Sequence, residues 1–256
     1  MNDYLDVTEL AGDDVSLEQV QRCSNRYYWA GNYCNNKDVV EVACGTGPGL
    51  GYLLEKAKTL VASDISEPIL QIARNHYKDR LNLEEFDACN MPFERESKDV
   101  IIIFEAIYYL PDFKKFINEC SRVLRPGGLI LIATANKDLI DFNPSPYTYR
   151  YYGVSELNNI FLENGFHADF FGYLDVKKVS IKQKILRPIK KIVVKLNLMP
   201  KTMQGKKILK ALVFGSLVKF PFEIDEDEID RSDPEPLIAS EVNTKHKVIY
   251  CVAAKV

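Results

Sequence analysis

The sequence predicts an α/β fold: a doubly wound, seven-stranded, mostly parallel sheet with helices on both faces, and a helical basic lobe inserted before the last strand. Three observations predict it. From residue 38 short apolar runs alternate with segments of helical period. The run DVIIIF is apolar without alternation, as a strand covered on both faces must be. A glycine-rich turn follows the first apolar run, where a strand hands over to a helix.

Taken in order, strands are expected at DVVEVA (38–43), TLVAS (59–63), NLEEF (82–86), DVIIIF (99–104) and GLILIAT (128–134). Gly49 to Lys58 places Leu50, Leu53, Leu54 and Ala57 on one helical face. Ser66 is positioned to cap SEPILQIARNHY, with Pro68 tolerated in the first turn. DFKKFINECSRVLR forms a third helix that Pro126-Gly127-Gly128 should terminate. GVSELNNIFLENG forms a fourth and leads into the strand HADFFGYL. The closing KHKVIYCVAAKV alternates like an edge strand or hairpin arm.

At 256 residues, 46% hydrophobic and 27% charged, the chain has the composition of a globular protein with a sizeable core. Its net charge of −3 does not favour a nucleic-acid binder, which needs a basic surface. Six cysteines show neither CxxC pairing nor zinc-site spacing, so no metal site is expected and the thiols fit a reducing compartment. Residues 1–19 carry six acids and no base, the reverse of a targeting peptide, and no apolar stretch is long enough to span a bilayer. A cytoplasmic location is expected.

Charge is segregated late in the chain. Residues 177–219 hold 13 Lys and Arg and no acid, whereas 223–235 hold eight acids and one Arg231. The expected organisation is an N-terminal helical segment (1–37), a Rossmann-like core (38–175), an inserted basic helical cap with an acidic loop (176–244), and a closing strand (245–256).

The glycine-rich turn reads VEVACGTGPGLGYL over residues 40–53. A dinucleotide fold wants GxGxxG, but Leu50 occupies the third glycine position, and no GK[ST] follows to make a phosphate loop. Glu41 on the first strand, Asp64 closing the second and Asp87-Ala88 closing the third belong to one sheet edge, where doubly wound folds bind ligands. Carboxylates beside a glycine turn suit a ligand bearing hydroxyls and amines.

On VVEVACGTGPG, LVASDIS, FDACNMPF and RVLRPGGLILIAT, in that order and spacing, the chain resembles the class I S-adenosylmethionine-dependent methyltransferases of the Rossmann-like superfamily. The resemblance covers roughly residues 38–175 and the closing strand. It implies S-adenosylmethionine as cofactor, with the backbone of Gly45 and Gly47 facing its methionyl part and Asp64 accepting from both ribose hydroxyls. It further implies Ile65 against the adenine face, Asp87 and Ala88 at the adenine amino edge, and Glu41 orienting the loop toward the methionyl amino group. The segment before the first strand would lie over the cofactor as a lid.

Methyl transfer from a sulfonium is an in-line displacement, so alignment matters most, and a hydroxyl acceptor adds the need for a base. Where many relatives carry a histidine after the fourth strand, this chain has FEAIYYLPD. Glu105 and Tyr108 are therefore the catalytic candidates. His76 shares a helical face with Ile69, Ile72 and Ala73 and reads as a packing residue, and His167 and His246 as incidental. The loop ANKDLIDFNPSPYTYRYY offers Asn136, Asn143, Tyr147 and Tyr151 as an acceptor wall, and NRYYWAGNY offers Tyr28 and Trp29 as aromatic lid residues. The expected activity is methylation of N or O on a small biosynthetic intermediate, a sugar or sugar nucleotide among the options, with an anionic acceptor favoured by the Lys-rich cap. Contact of that cap with a membrane surface is the less favoured use of its charge. The alternatives are a nucleic-acid methyltransferase and a non-catalytic cofactor-binding subunit.

Overall fold

In the computed structural model the described residues are 4–176, 217–225, 229 and 231–256. A short strand β1 (Asp14–Ser16) leads into α1 (Leu17–Cys34). There follow β2 (Asp38–Val42), α2 (Leu50–Lys56), β3 (Thr59–Asp64), α3 (Glu67–Tyr77), β4 (Asn82–Glu85), β5 (Lys98–Phe104), α4 (Phe113–Val123) and β6 (Leu124–Ala135). The chain continues through α5 (Val154–Glu163), β7 (Phe166–Asp175), β8 (Leu217–Lys219), β9 (Glu235–Leu237) and β10 (His246–Lys255).

Eight strands form one sheet in the order β4-β3-β2-β5-β6-β10-β7-β9. The strands β4 to β6 run parallel, whereas β10 is antiparallel to both β6 and β7, and β9 is antiparallel to β7. The strand order therefore reverses between β2 and β5, and the crevice of a doubly wound sheet opens at the carboxyl ends of those two strands. The sheet has one strand more than the seven expected, because Glu235–Leu237, at the end of the acidic stretch, pairs with β7. Of the basic segment 177–219, residues 177–216 lie outside the described residues, and Leu217–Lys219 form β8, which pairs with β1. No helix among the described residues is long and apolar enough to cross a membrane.

Alternate side chains of β5 enter opposite layers. Ile102 and Phe104 pack with Tyr27, Trp29, Leu50 and Leu70 on one face, while Ile101 and Ile103 pack with Phe116, Ile117, Leu157 and Phe161 on the other. That two-sided burial is why DVIIIF does not alternate in polarity. The same reason overturns the edge-strand reading of the C-terminus. β10 sits inside the sheet, and Val248 to Ala253 are all buried. The Pro126-Gly127-Gly128 expectation is corrected as well. Helix α4 ends at Val123, and the Pro-Gly pair lies in the irregular start of β6, where the pairing with β5 shifts between Lys98 and Val100 and Gly127 takes φ +74°.

Helix α1 begins in a capping box. The Ser16 hydroxyl accepts the Gln19 N–H at 3.3 Å, and the Gln19 side chain accepts the Ser16 N–H at 3.0 Å. Cys23, Tyr27, Ala30 and Cys34 recur at helical spacing and are buried against the sheet. Trp29 enters the same layer, with its ring 4.8 Å from that of Tyr250 and 6.4 Å from that of Phe171. Most of α1 is thus core rather than lid. The Tyr27 hydroxyl donates to Glu41 of β2 at 2.7 Å, joining helix and central strand through a carboxylate with no access to solvent.

The Glu41 Oε2 atom has no hydrogen-bond partner among the described residues. Burial pushes its carboxyl up to about 7 from 4.5, against the opposing pull of Tyr27 and the Arg26 charge. The folded chain therefore binds this proton more tightly than the unfolded chain does. Its stabilisation is complete below the unfolded value and is lost as pH rises through about 7. Two outcomes follow. Urea unfolding followed by circular dichroism should show Trp29→Ala destabilised by about 3–5 kcal/mol, the cost of an emptied aromatic site. Across pH 4.5 to 8, the stability of the wild type relative to Glu41→Gln should fall by on the order of a few kcal/mol, most of it before pH 7.

Candidate functional site

The turn after β2 is built from backbone that few side chains tolerate. Ala43, Gly45 and Gly47 have φ of +54°, +62° and +73°. A Cβ on Gly45 would meet only the Thr8 methyl, at 3.6 Å, so open space lies in front of its backbone. Gly47 faces elsewhere. A Cβ there would come within 2.4 Å of Leu50, and its carbonyl accepts the Tyr77 hydroxyl at 2.6 Å. Of the two glycines expected to face the cofactor, Gly45 lines the cleft, and Gly47 serves the turn that starts α2.

Asp64, the last residue of β3, holds this turn. One carboxylate oxygen accepts the Gly45 N–H at 2.9 Å and the other the Ser66 N–H at 2.9 Å. Burial raises its pKa, while the N–H groups of Ser66, Gly45 and Ile65 oppose the rise. A carboxylate has about four lone-pair positions, so acceptor capacity remains after two backbone bonds. Asp64, Ile65, Asp87 and Ala88 line one end of a cavity of about 380 Å³, within the range of small-molecule sites. Phe86, Ile69 and Leu110 give this end apolar walls, and Tyr4 and Thr8 flank it from the N-terminal segment. Asp87 also accepts the Cys89 N–H at 2.8 Å, which fixes the turn after β4. Open space at Gly45, a ribose-type carboxylate and an apolar slot fit S-adenosylmethionine. Glu41 is not in this wall. It supports α1 through Tyr27.

The opposite end is charged. Glu105, immediately after β5, has φ +51°, and its N–H bonds the Ala133 carbonyl at 2.7 Å. Such backbone is costly for a non-glycine residue and recurs at functional sites. Its carboxylate accepts from the Arg22 guanidinium at 3.0 Å and from the Tyr108 hydroxyl at 3.1 Å. The Tyr108 ring stacks on Tyr151 with centroids 4.3 Å apart. Burial, and then the Glu105 charge, holds the Tyr108 phenol well above its ordinary pKa, so it stays protonated and donates. Glu9, Gln19, Arg22, Arg26 and Tyr149 complete this end.

The structure thus brings together Gly45, Asp64, Ile65, Asp87, Ala88, Glu105 and Tyr108 in one cavity. The proposed acceptor-wall residues lie elsewhere. Tyr28 donates to the Asp225 carbonyl at 2.5 Å and packs against Tyr52, and Trp29 is in the core. Asn136 is buried, its amide bonding the carbonyls of Asn243 at 2.7 Å and His246 at 2.8 Å, which ties the loop after β6 to the start of β10. Asn143 and Tyr147 are exposed away from the cleft, and Tyr151 backs Tyr108 from behind. Among the described residues no histidine lines the cavity. His76 packs as expected, its ring stacked on Phe222 and edge-on to Tyr77, and its Nε2 lies 2.9 Å from Glu223. His246 is buried beside Glu235 and Asn243.

Sequence reasoning missed Tyr4, Thr8, Glu9 and Arg22, whereas Arg26 in NRYYWAGNY and Tyr149 in the tyrosine loop do line the cavity. Arg22 and Arg26 did carry a signal. They stand four apart on α1, hence on one face of the helix.

Comparison with known proteins agrees with this geometry. Residues 40–132 match a family model described as a methyltransferase domain. A probable S-adenosylmethionine-dependent methyltransferase of Mycolicibacterium smegmatis is 31% identical over 142 residues, 53% of this chain and 54% of its own. A phthiotriol/phenolphthiotriol dimycocerosates methyltransferase of Mycobacterium ulcerans is 33% identical over 132 residues, 50% of this chain and 47% of its own. The chain spans about half the length of these curated relatives. In structure, a possible histamine N-methyltransferase of Thermotoga maritima shares the fold at TM-score 0.58 and 14% identity, over 93% of this chain and 92% of its own. Motif order, strand-end carboxylates and family model coincide on β2 to β6, so that residues 40–132 match a methyltransferase domain and are similar to S-adenosylmethionine-dependent methyltransferases.

Proposed function

We propose that this protein transfers the methyl group of S-adenosylmethionine to an N or O atom of a small, polar acceptor. One observation carries the reading: the glycine turn with Asp64 and the charged group Arg22–Glu105–Tyr108 line the same cavity from opposite ends. Gly45 and Asp64 hold the methionyl and ribose parts of the donor, and Ile65, Asp87 and Ala88 receive its adenine. The donor supplies an electrophilic methyl on a sulfonium, so the chain's own task is alignment. Glu105, aimed by Arg22 and Tyr108, is placed to accept a hydrogen bond from the attacking N–H or O–H. Tyr109, Tyr149 and the N-terminal Tyr4 wall the cleft and limit its access to water, with the Tyr4 and Tyr109 rings meeting edge-on at 5.4 Å.

The mycobacterial relative is named for a lipid-type acceptor, but Glu9, Arg22, Arg26 and Glu105 at the acceptor end favour a polar intermediate such as a sugar or sugar nucleotide. A charged lining of this kind would be costly to cover with an apolar chain. The carboxylates that line the same cleft, Glu9, Asp64, Asp87 and Glu105, weigh against nucleic acid as substrate. The six unpaired, buried thiols support placement in the cytoplasm.

Isothermal titration should show S-adenosylmethionine binding to the full chain and no binding of NAD. Asp64→Ala loses both its tie to the turn and its ribose contact, and should weaken donor binding at least about tenfold, the equivalent of one charge-assisted hydrogen bond. No donor binding by the wild type would end the reading. An acceptor screen scored by S-adenosylhomocysteine release should respond to polar small molecules. Release with RNA or duplex DNA alone would move the assignment to the nucleic-acid alternative.

A further inference from the structure

Arg26 differs from the other arginines with which this fold builds its ion pairs. Arg22 ends on Glu105, Arg74 on Glu67, Arg80 on Glu223, Arg122 on Glu119, Arg125 on Asp38 and Asp99, and Arg150 on Glu156. Arg26 lines the acceptor end of the cleft and meets no carboxylate among the described residues. Its Nε is shut off from solvent without a hydrogen-bond partner, and one terminal nitrogen reaches only the Cys23 sulfur, at 3.7 Å. The guanidinium lies over the rings of Tyr27 and Phe104, 5.5 and 5.7 Å from their centroids. Those contacts hold it in place but leave its in-plane donors poorly used.

The acids nearest its charge, Glu105, Glu9 and Glu41, each accept from another donor and none is hydrogen-bonded to it. Glu105 is taken by Arg22 and Tyr108, Glu41 by Tyr27, and Glu9 by the Gln19 amide. A half-buried charge in this position is costly unless a partner of opposite sign completes it. A guanidinium presents a planar fork that matches a carboxylate or phosphate group.

We propose that Arg26 forms an anion-binding subsite at the acceptor end of the cleft, which takes a carboxylate or phosphate group carried by the methyl acceptor. This rests on the reading of the cleft as a methyl-transfer site. The subsite selects anionic acceptors over neutral ones of the same shape, and Arg22, held on Glu105, leaves that task to Arg26. Anchoring the acceptor at a point fixed by α1 also sets which of its atoms meets the donor.

The full chain, saturated with S-adenosylhomocysteine at low ionic strength, is titrated calorimetrically with inorganic phosphate and, separately, with acetate. One of the two should bind saturably, and which one does so distinguishes a phosphate from a carboxylate acceptor. Arg26→Gln should weaken that binding at least tenfold. Arg26→Lys keeps the charge without the fork and should weaken it about threefold, and it serves as the second variant should Arg26→Gln fail to fold. Lys58→Gln, at the far end of β3, should change nothing, and S-adenosylhomocysteine affinity should be the same in every folded variant. Binding of neither anion by a wild type that binds S-adenosylhomocysteine, or wild-type anion binding in each folded Arg26 variant, overturns the proposal. A wild type that does not bind S-adenosylhomocysteine overturns the donor reading and this inference with it.

Discussion

The reversal of strand order between β2 and β5 is the constraint from which the rest of the molecule follows. Chain leaving β2 turns toward α2 and β3 on one side, and chain leaving β5 turns toward α4 and β6 on the other, so their carboxyl ends face a gap that neither connection covers. Everything assigned to the site stands around this gap. The glycine turn leaves β2, Asp64 leaves β3, Asp87 follows β4 and Glu105 follows β5. A gap walled by strand ends also presents unpaired backbone N–H groups, and Asp64 takes those of Gly45 and Ser66. The carboxylate expected to hold a ribose is therefore also what shapes the turn beside it.

Charge in the gap is divided along its length. Toward β4 the walls are apolar apart from Asp64 and Asp87, and toward α1 they carry Glu9, Arg22, Arg26 and Glu105. Helix α1 presents both arginines at a fixed place because it is anchored deep in the core. Tyr27 bonds to Glu41, and Trp29 packs on Tyr250. The geometry of the acceptor end is thereby coupled to the burial of one carboxylate under a helix. Glu41, raised to about 7 by that burial, is a cost the fold carries to fix α1 in register with the sheet.

The loop after β6 shows how a feature rich in chemistry can be mostly scaffolding. Its tyrosines form an aromatic stack in which Tyr151 backs Tyr108 and Tyr149 alone reaches the cleft. Asn136 is spent on the backbone of Asn243 and His246, where an amide satisfies carbonyls that water cannot reach. Side chains able to bind a substrate were equally able to close a loop.

By itself the sequence determined the layers, the parallel core, the glycine turn and the acids at the strand ends. Each depends on local periodicity or on residues a few positions from a predicted strand end: DVIIIF reads as a buried strand, and Asp64 and Asp87 follow from where β3 and β4 stop. Tertiary structure decided what long-range packing controls. It placed β10 between β6 and β7, turned Tyr28 and Trp29 into the core, took Asn136 for a loop closure, and brought Arg22 to a carboxylate 83 residues away and Arg26 to the same cleft. The physical reason is that periodicity tells which face of a helix is apolar but not which neighbour the other face meets. That is set only when distant segments compete for the same buried area.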